Sequence, residues 1–182
     1  MKIIGAVHGR FQPLHNDHLE YVMAAFKRCD FLYIGLTFYD IRNIPHCKEA
    51  VHRSRKANNP LTYAERMVMI SEVLESNKIK RERYGFLPFP IDTPELLSDF
   101  LPKQIVCYTT IIDEWNKRKI EILEQKGYAV EVLWENYEPS IRGSKIRESI
   151  VCGNDDWQET VPEQVVLLIK EWGIKERITL NS

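Results

Sequence analysis

Two segments of this chain concentrate the side chains that grip phosphate. The first is Gly9-Arg10-Phe11-Gln12-Pro13-Leu14-His15-Asn16-Asp17-His18. Gly9 permits a tight turn with close backbone approach, and Pro13 stiffens the loop. His15 and His18 lie three residues apart and project to similar sides of a helical first turn. Free N–H groups and the positive end of the helix dipole add to that place, and Asn16 or Asp17 is the expected cap. Two imidazoles, the Arg10 guanidinium and free amides together make a site for a polyanion. The same His pair also fits a metal-ligand pattern, but no third ligand is evident; His46, Cys47 and His52 are weak partners. Capping or a buried hydrogen bond is the plain alternative for either His alone. The second segment, Ile141-Arg142-Gly143-Ser144-Lys145-Ile146-Arg147, places Arg147 three residues after Ser144, on one side of a helix. Alone it reads equally well as a capped helix with a surface Arg.

The elements that must position these segments alternate. Lys2–His8 is a buried strand, Leu14–Cys29 a helix with Leu19, Val22, Met23 and Phe26 on one face, and Phe31–Thr37 a strand covered on both sides. Residues 38–60 are a long polar stretch. A capping box, Thr62-x-x-Glu65, opens the next helix. Phe86–Ile91, with two prolines, is an irregular or edge strand. Pro94–Leu101 is a short helix, Gln104–Thr110 a strand, Ile112–Lys126 a helix stopped by Gly127, and Ala129–Trp134 the last strand. Helices follow around Ser144–Val151 and Pro162–Trp172. This order predicts a Rossmann-like α/β fold: a doubly wound, parallel, five-stranded sheet with flanking helices and a small C-terminal helical extension. One domain is expected over 1–182, with a core at 1–135 and the phosphate-binding and C-terminal helices at 140–176. Ligands of such sheets sit beyond the carboxyl ends of the strands, here just after His8, Thr37, Thr110 and Trp134.

The balance of the whole chain restricts its partners. Of 182 residues, 25 are Lys or Arg and 26 Asp or Glu, giving a formal charge of −1. That argues against nucleic acid and membrane surfaces as partners, so any anion must be held locally. No apolar run approaches the roughly 18 residues of a membrane span. The opening MKIIGAVHGRFQ reads as a first strand rather than a signal peptide. The four cysteines form no C-x-x-C pair, so free thiols in a reducing cytosol are expected.

The first segment resembles the HxxH signature of the nucleotidylyltransferase superfamily, in the long form typical of archaeal-type nicotinamide-nucleotide adenylyltransferases. Asp17 replaces the usual Gly before the last His. A carboxylate so near the expected phosphates should repel them unless it turns away or helps hold a metal. The second segment resembles the partner signature I-S-G-T-x-I-R, with Arg142 replacing a small Ser. Asn59–Arg66 resembles the N-P-x-T-x-x-E-R stretch of the same enzymes. Thr109–Trp115 departs from their Ser-Gly-Asn turn. With Phe89–Leu96, it looks more like a bacterial branch that includes cytidylyltransferases activating hydroxyalkylphosphonates.

The resemblance implies transfer of a nucleoside monophosphate from ATP or CTP to a small phosphate or phosphonate acceptor, with release of pyrophosphate. Adenylyl transfer to nicotinamide mononucleotide is the first expectation and CTP-dependent cytidylyl transfer the alternative. A non-catalytic nucleotide sensor is the rival of another class. His18 and His15 would face the reacting phosphates, and Ser144 and Arg147 the leaving pyrophosphate. Gly9, Arg10, Phe11, Gln12, Arg142, Gly143 and Ile146 would complete the nucleotide site. Arg53, Arg55, Arg66 and Trp115 are candidates for the acceptor, with 38–60 as a lid. Mg²⁺ would ride on the triphosphate, with no protein ligand assigned. Phe38, Tyr39, Trp115 and Trp134 divide between base stacking and core packing. A homo-oligomer is compatible with the family.

Overall fold

The structure is a computed structural model that describes residues 2–40, 55–135 and 140–181. Five parallel strands form one sheet in the order β3-β2-β1-β4-β5. They are β1 (Ile4–Gly9), β2 (Phe31–Leu36), β3 (Tyr84–Pro88), β4 (Val106–Ile111) and β5 (Ala129–Glu135). The helices are α1 (Asn16–Phe26), α2 (Tyr63–Ser76), α3 (Leu97–Phe100), α4 (Glu114–Gln125), α5 (Gly143–Cys152), α6 (Glu163–Glu171) and α7 (Ile174–Leu180). This is the Rossmann-like architecture the alternation predicts. The continuous apolar runs of β1 and β2 are central, and the strand with prolines lies at an edge, with Pro88 at its last position. An edge tolerates a residue without an N–H donor.

Several boundaries move for identifiable reasons. Helix α4 starts at Glu114, not Ile112, because Asp113 caps it and Asn116 closes the box. The stretch read as a helix from Pro94 is a 3-10 turn, Pro94–Leu96, before the four residues of α3. The C-terminal helices run to Leu180 rather than 176. Gly173, at φ 60°, breaks the chain after α6, and α7 begins anew. The capping box of α2 is present as read, with Thr62 and Glu65 bonded reciprocally.

The contacts sort the chain into two units. One contains Met1–Gly9, Glu20–Tyr39 and Lys80–Pro139, and with them the whole sheet, α3 and α4. Its apolar core joins Ala6, Leu87, Phe89, Leu97, Leu101, Cys107 and Leu123. The other contains Arg10–Leu19, Asp40–Ile79 and Ser140–Ser182. In it α2 packs on α6, and α7 packs on α5 and α6. Arg177 of α7 pairs with Glu65 at the start of α2 at 2.7 Å. Cys29, Cys107 and Cys152 are free thiols. Among the described residues no helix is long and apolar enough to cross a membrane.

Candidate active site

From Arg10 onward the first segment belongs to the same unit as the second, more than 120 residues away in sequence, and the two are bonded to each other. Helix α1 starts at Asn16, so His15 and His18 sit at its opening turn. Their rings stack, with centroids 3.6 Å apart and planes 23° from parallel. Phe11 meets His18 edge-on at 5.0 Å. Phe11 is fully buried at φ 48°, a left-handed conformation costly for an aromatic residue and common around functional loops. His15 Nδ1 and His18 Nδ1 are buried without hydrogen-bond partners. Burial lowers the His15 pKa to about 4, against an opposing pull from Asp17. Burial, then the neighbouring His15 and Arg10, hold His18 well below its usual value. Both imidazoles are therefore neutral at pH 7. An arriving polyanion would raise their proton affinity.

Asp17 is tied to the segment that leads into α5. Its carboxylate accepts from Ser140 Oγ at 2.9 Å and from the Ile141 N–H at 3.1 Å. The residue that departs from the signature is thus the tie to the approach of α5. Asn16 Nδ2 adds a bond to the Glu159 carbonyl at 3.2 Å. Helix α5 begins at Gly143, packed so close that a Cβ there would lie 3.3 Å from the Gln12 carbonyl oxygen. Ser144 and Arg142 are exposed at this N-terminus, and Ile146 is buried on the opposite side.

Arg147 is buried. Its Nη1 donates to the Gln12 carbonyl at 2.6 Å and its Nη2 to Asn58 Oδ1 at 2.9 Å. Burial lowers its pKa to about 10, so it stays charged. Gln12 pairs its amide with the Leu61 backbone, donating at 2.8 Å and accepting at 2.9 Å. Arg66 has no exposed surface; it donates to the carbonyls of Arg10 at 2.9 Å and Thr62 at 3.3 Å. Three side chains assigned to ligands from sequence thus hold the 10–13 loop in this structure. A buried fork on two acceptors is a strong fastener because its hydrogen bonds are charge-assisted.

The remaining candidates are dispersed. Gly9 lies in the sheet-containing unit, where its carbonyl accepts from the Thr37 N–H at 3.0 Å, and half-buried Trp115 lies there also. Arg55 is exposed. Arg53 and residues 41–54 of the expected lid, including His46, Cys47 and His52, fall outside the described residues. Phe38 is buried, Tyr39 packs on Phe100 and Trp134 on Tyr21. Sequence reasoning missed Asn58, since a lone Asn before the N-P-L-T stretch gives no sign that it meets an Arg 89 residues later.

Stacked neutral imidazoles, a glycine-opened helix and buried arginines bracing the loop are thus features of a Rossmann-like protein. Residues 6–149 match the cytidylyltransferase-like family, and the chain belongs to that family of nucleotidyl-transferring enzymes. It is 35% identical over 174 residues to a phosphonoformate cytidylyltransferase of Streptomyces viridochromogenes, covering 96% of this chain and 94% of that one. It is 27% identical to a nicotinamide-nucleotide adenylyltransferase of Thermococcus kodakarensis, covering 94% and 85%. Among solved structures it resembles a bifunctional NMN adenylyltransferase/ADP ribose pyrophosphatase of Francisella tularensis, with TM-score 0.62 and 19% identity. That match covers 90% of this chain, which spans only 44% of the bifunctional protein. A putative nicotinate-nucleotide adenylyltransferase of Vibrio parahaemolyticus matches at TM-score 0.59 and 15% identity, covering 97% of each chain. Both structural likenesses concern the fold.

Proposed function

We propose that this enzyme transfers the cytidylyl group of CTP to an anionic oxygen of a small phosphonate or phosphate. The observation that carries the reading is the bonding of the Ser140–Arg147 segment to the histidine segment, Ser140 and Ile141 to Asp17 and Arg147 to the Gln12 carbonyl. CTP is favoured over ATP by the near full-length similarity to a phosphonate cytidylyltransferase and by Thr109–Trp115 in place of a Ser-Gly-Asn turn.

In the reaction, an acceptor oxygen attacks the α-phosphorus in line, and the bond from that phosphorus to the β-phosphate oxygen breaks. The electron pair leaves with pyrophosphate. The acceptor oxygen is already an anion, so no general base is needed and catalysis rests on positioning and charge stabilisation. His18 and His15 donate to oxygens of the reacting phosphates. The free amides at the start of α5 and the Ser144 hydroxyl hold the β- and γ-phosphates. Arg147 and Arg66 act as positioning residues that fix the 10–13 loop, and Arg147 adds positive charge beneath it. The unpartnered Nδ1 atoms of His15 and His18 suit a magnesium-bound triphosphate, whose phosphates would hold the ion. The ion supplies charge neutralisation. The free thiols agree with a reducing cytosol.

The test is pyrophosphate release from CTP or ATP against a panel of phosphonoformate, hydroxyalkylphosphonates and nicotinamide mononucleotide. CTP with a phosphonate is expected to turn over. Turnover only with ATP and the mononucleotide would replace this reading by the adenylyl one. His18→Ala is expected to lower kcat on the order of 10²–10³-fold.

A further inference from the structure

We propose that His8 is the acceptor-recognition residue, whose imidazole hydrogen-bonds an anionic oxygen of the small phosphonate or phosphate. The inference rests on the nucleotidyl-transfer reading above and assigns the side chain that selects the acceptor. His8 ends the central strand and is only 6% exposed, yet neither Nδ1 nor Nε2 has a hydrogen-bond partner. Native structures leave few buried polar groups in that condition, because each bears its desolvation cost uncompensated.

The ring is nevertheless held in place. It stacks on Phe89 with centroids 4.4 Å apart and planes 5° from parallel. Phe89 in turn fills the space left by Gly35, the register partner of His8 on β2, where a Cβ would come within 2.5 Å of the Phe89 ring. A glycine on a central strand thus makes room for the aromatic plate that fixes an unpaired imidazole. This is preorganisation for a ligand rather than a packing requirement, since an apolar ring would meet the packing alone.

The location and the charge identify the ligand class. In the order β3-β2-β1-β4-β5, β1 is where the chain changes its direction of growth, and its carboxyl end is the switch point at which such sheets bind ligands. The buried hydroxyl residues Thr37 and Thr110 mark the carboxyl ends of the neighbouring strands. Burial, and then the positive charge of Lys119 on α4, hold the His8 imidazole neutral. That potential welcomes an anion, and a neutral ring retains one N–H to donate to it.

His8→Phe keeps a stacking ring and removes the unpaired nitrogens. It is expected to melt at or above the temperature of the unaltered protein. The KM for phosphonoformate should rise at least tenfold, with the KM for CTP within twofold. His8→Gln, which restores a donor, should recover part of the loss, and it serves as the probe if the Phe variant does not fold. An acceptor KM unchanged in both variants would overturn the proposal. So would a lowered melting temperature with both KM values raised together, which marks a structural histidine. Histidine-labelled ¹⁵N spectra of the unaltered protein, with phosphonoformate added alone and with a non-hydrolysable CTP analogue, should move the His8 resonances. No movement under either condition overturns the assignment. Movement without any pyrophosphate release would instead retire the transfer reading and leave the anion site standing.

Discussion

Asp17 stands where the family signature has glycine, and a carboxylate beside incoming phosphates would oppose them. Its carboxylate accepts from Ser140 Oγ and the Ile141 N–H, which occupies its lone pairs while its charge still acts on His15. Asp17→Asn and Ser140→Ala should each reduce kcat, and the double variant should lose less than the product of the two effects. The non-additivity, measured by a double-mutant cycle, is expected near 1 kcal/mol, typical of directly bonded neighbours. His15 carries a pH signature. Its pKa is about 4 when folded and about 6.5 in an unfolded chain. Between those values the unfolded chain takes up a proton that the folded one refuses. The stability His15 permits is therefore full above about pH 6.5 and falls as pH drops towards 4, by up to about 3 kcal/mol. Melting curves of His15→Asn should lose correspondingly less between pH 7 and pH 5 than those of the unaltered protein.

At the scale of elements, helix starts and buried forks place the loop. The Thr62–Glu65 box fixes the start of α2, from which Arg66 reaches the Arg10 carbonyl. Thr62→Ala should cost about 1 kcal/mol in chemical denaturation, the usual effect of losing such a cap. Arg147→Lys keeps the charge but cannot span the Gln12 carbonyl and Asn58 with one planar fork. It should cost about 1–3 kcal/mol, since a buried acceptor is left unpaired. It should also raise the KM for the triphosphate, as measured by initial rates.

At the scale of the molecule, ligand binding and stability are linked. A triphosphate bound by the folded chain should raise the melting temperature with concentration, gaining about 2.7 kcal/mol at a hundred times its Kd. CTP with Mg²⁺ is expected to give the larger rise in a thermal-shift series and ATP the smaller. Equal shifts would mean that the base is not read by the empty-acceptor enzyme.

The alternation of apolar runs and capped helices determined the parallel sheet and its order of elements, because strand and helix periodicities are local properties of the chain. The spacing of His15 to His18 and of Ser144 to Arg147 likewise set which side chains share a helix turn, since neighbours on a turn follow from sequence distance alone. The duties of Gln12, Arg66 and Arg147 were beyond such reading. Each is polar and lies in a signature, but whether it faces a ligand or a carbonyl depends on partners 49 to 135 residues away. The same holds for Asp17, whose partners Ser140 and Ile141 lie more than 120 residues away, and for His8, whose ring stacks on the Phe89 that Gly35 admits. Burial and long-range hydrogen bonding are decided when distant segments meet, so only the tertiary structure shows which of these side chains are bonded to distant carbonyls.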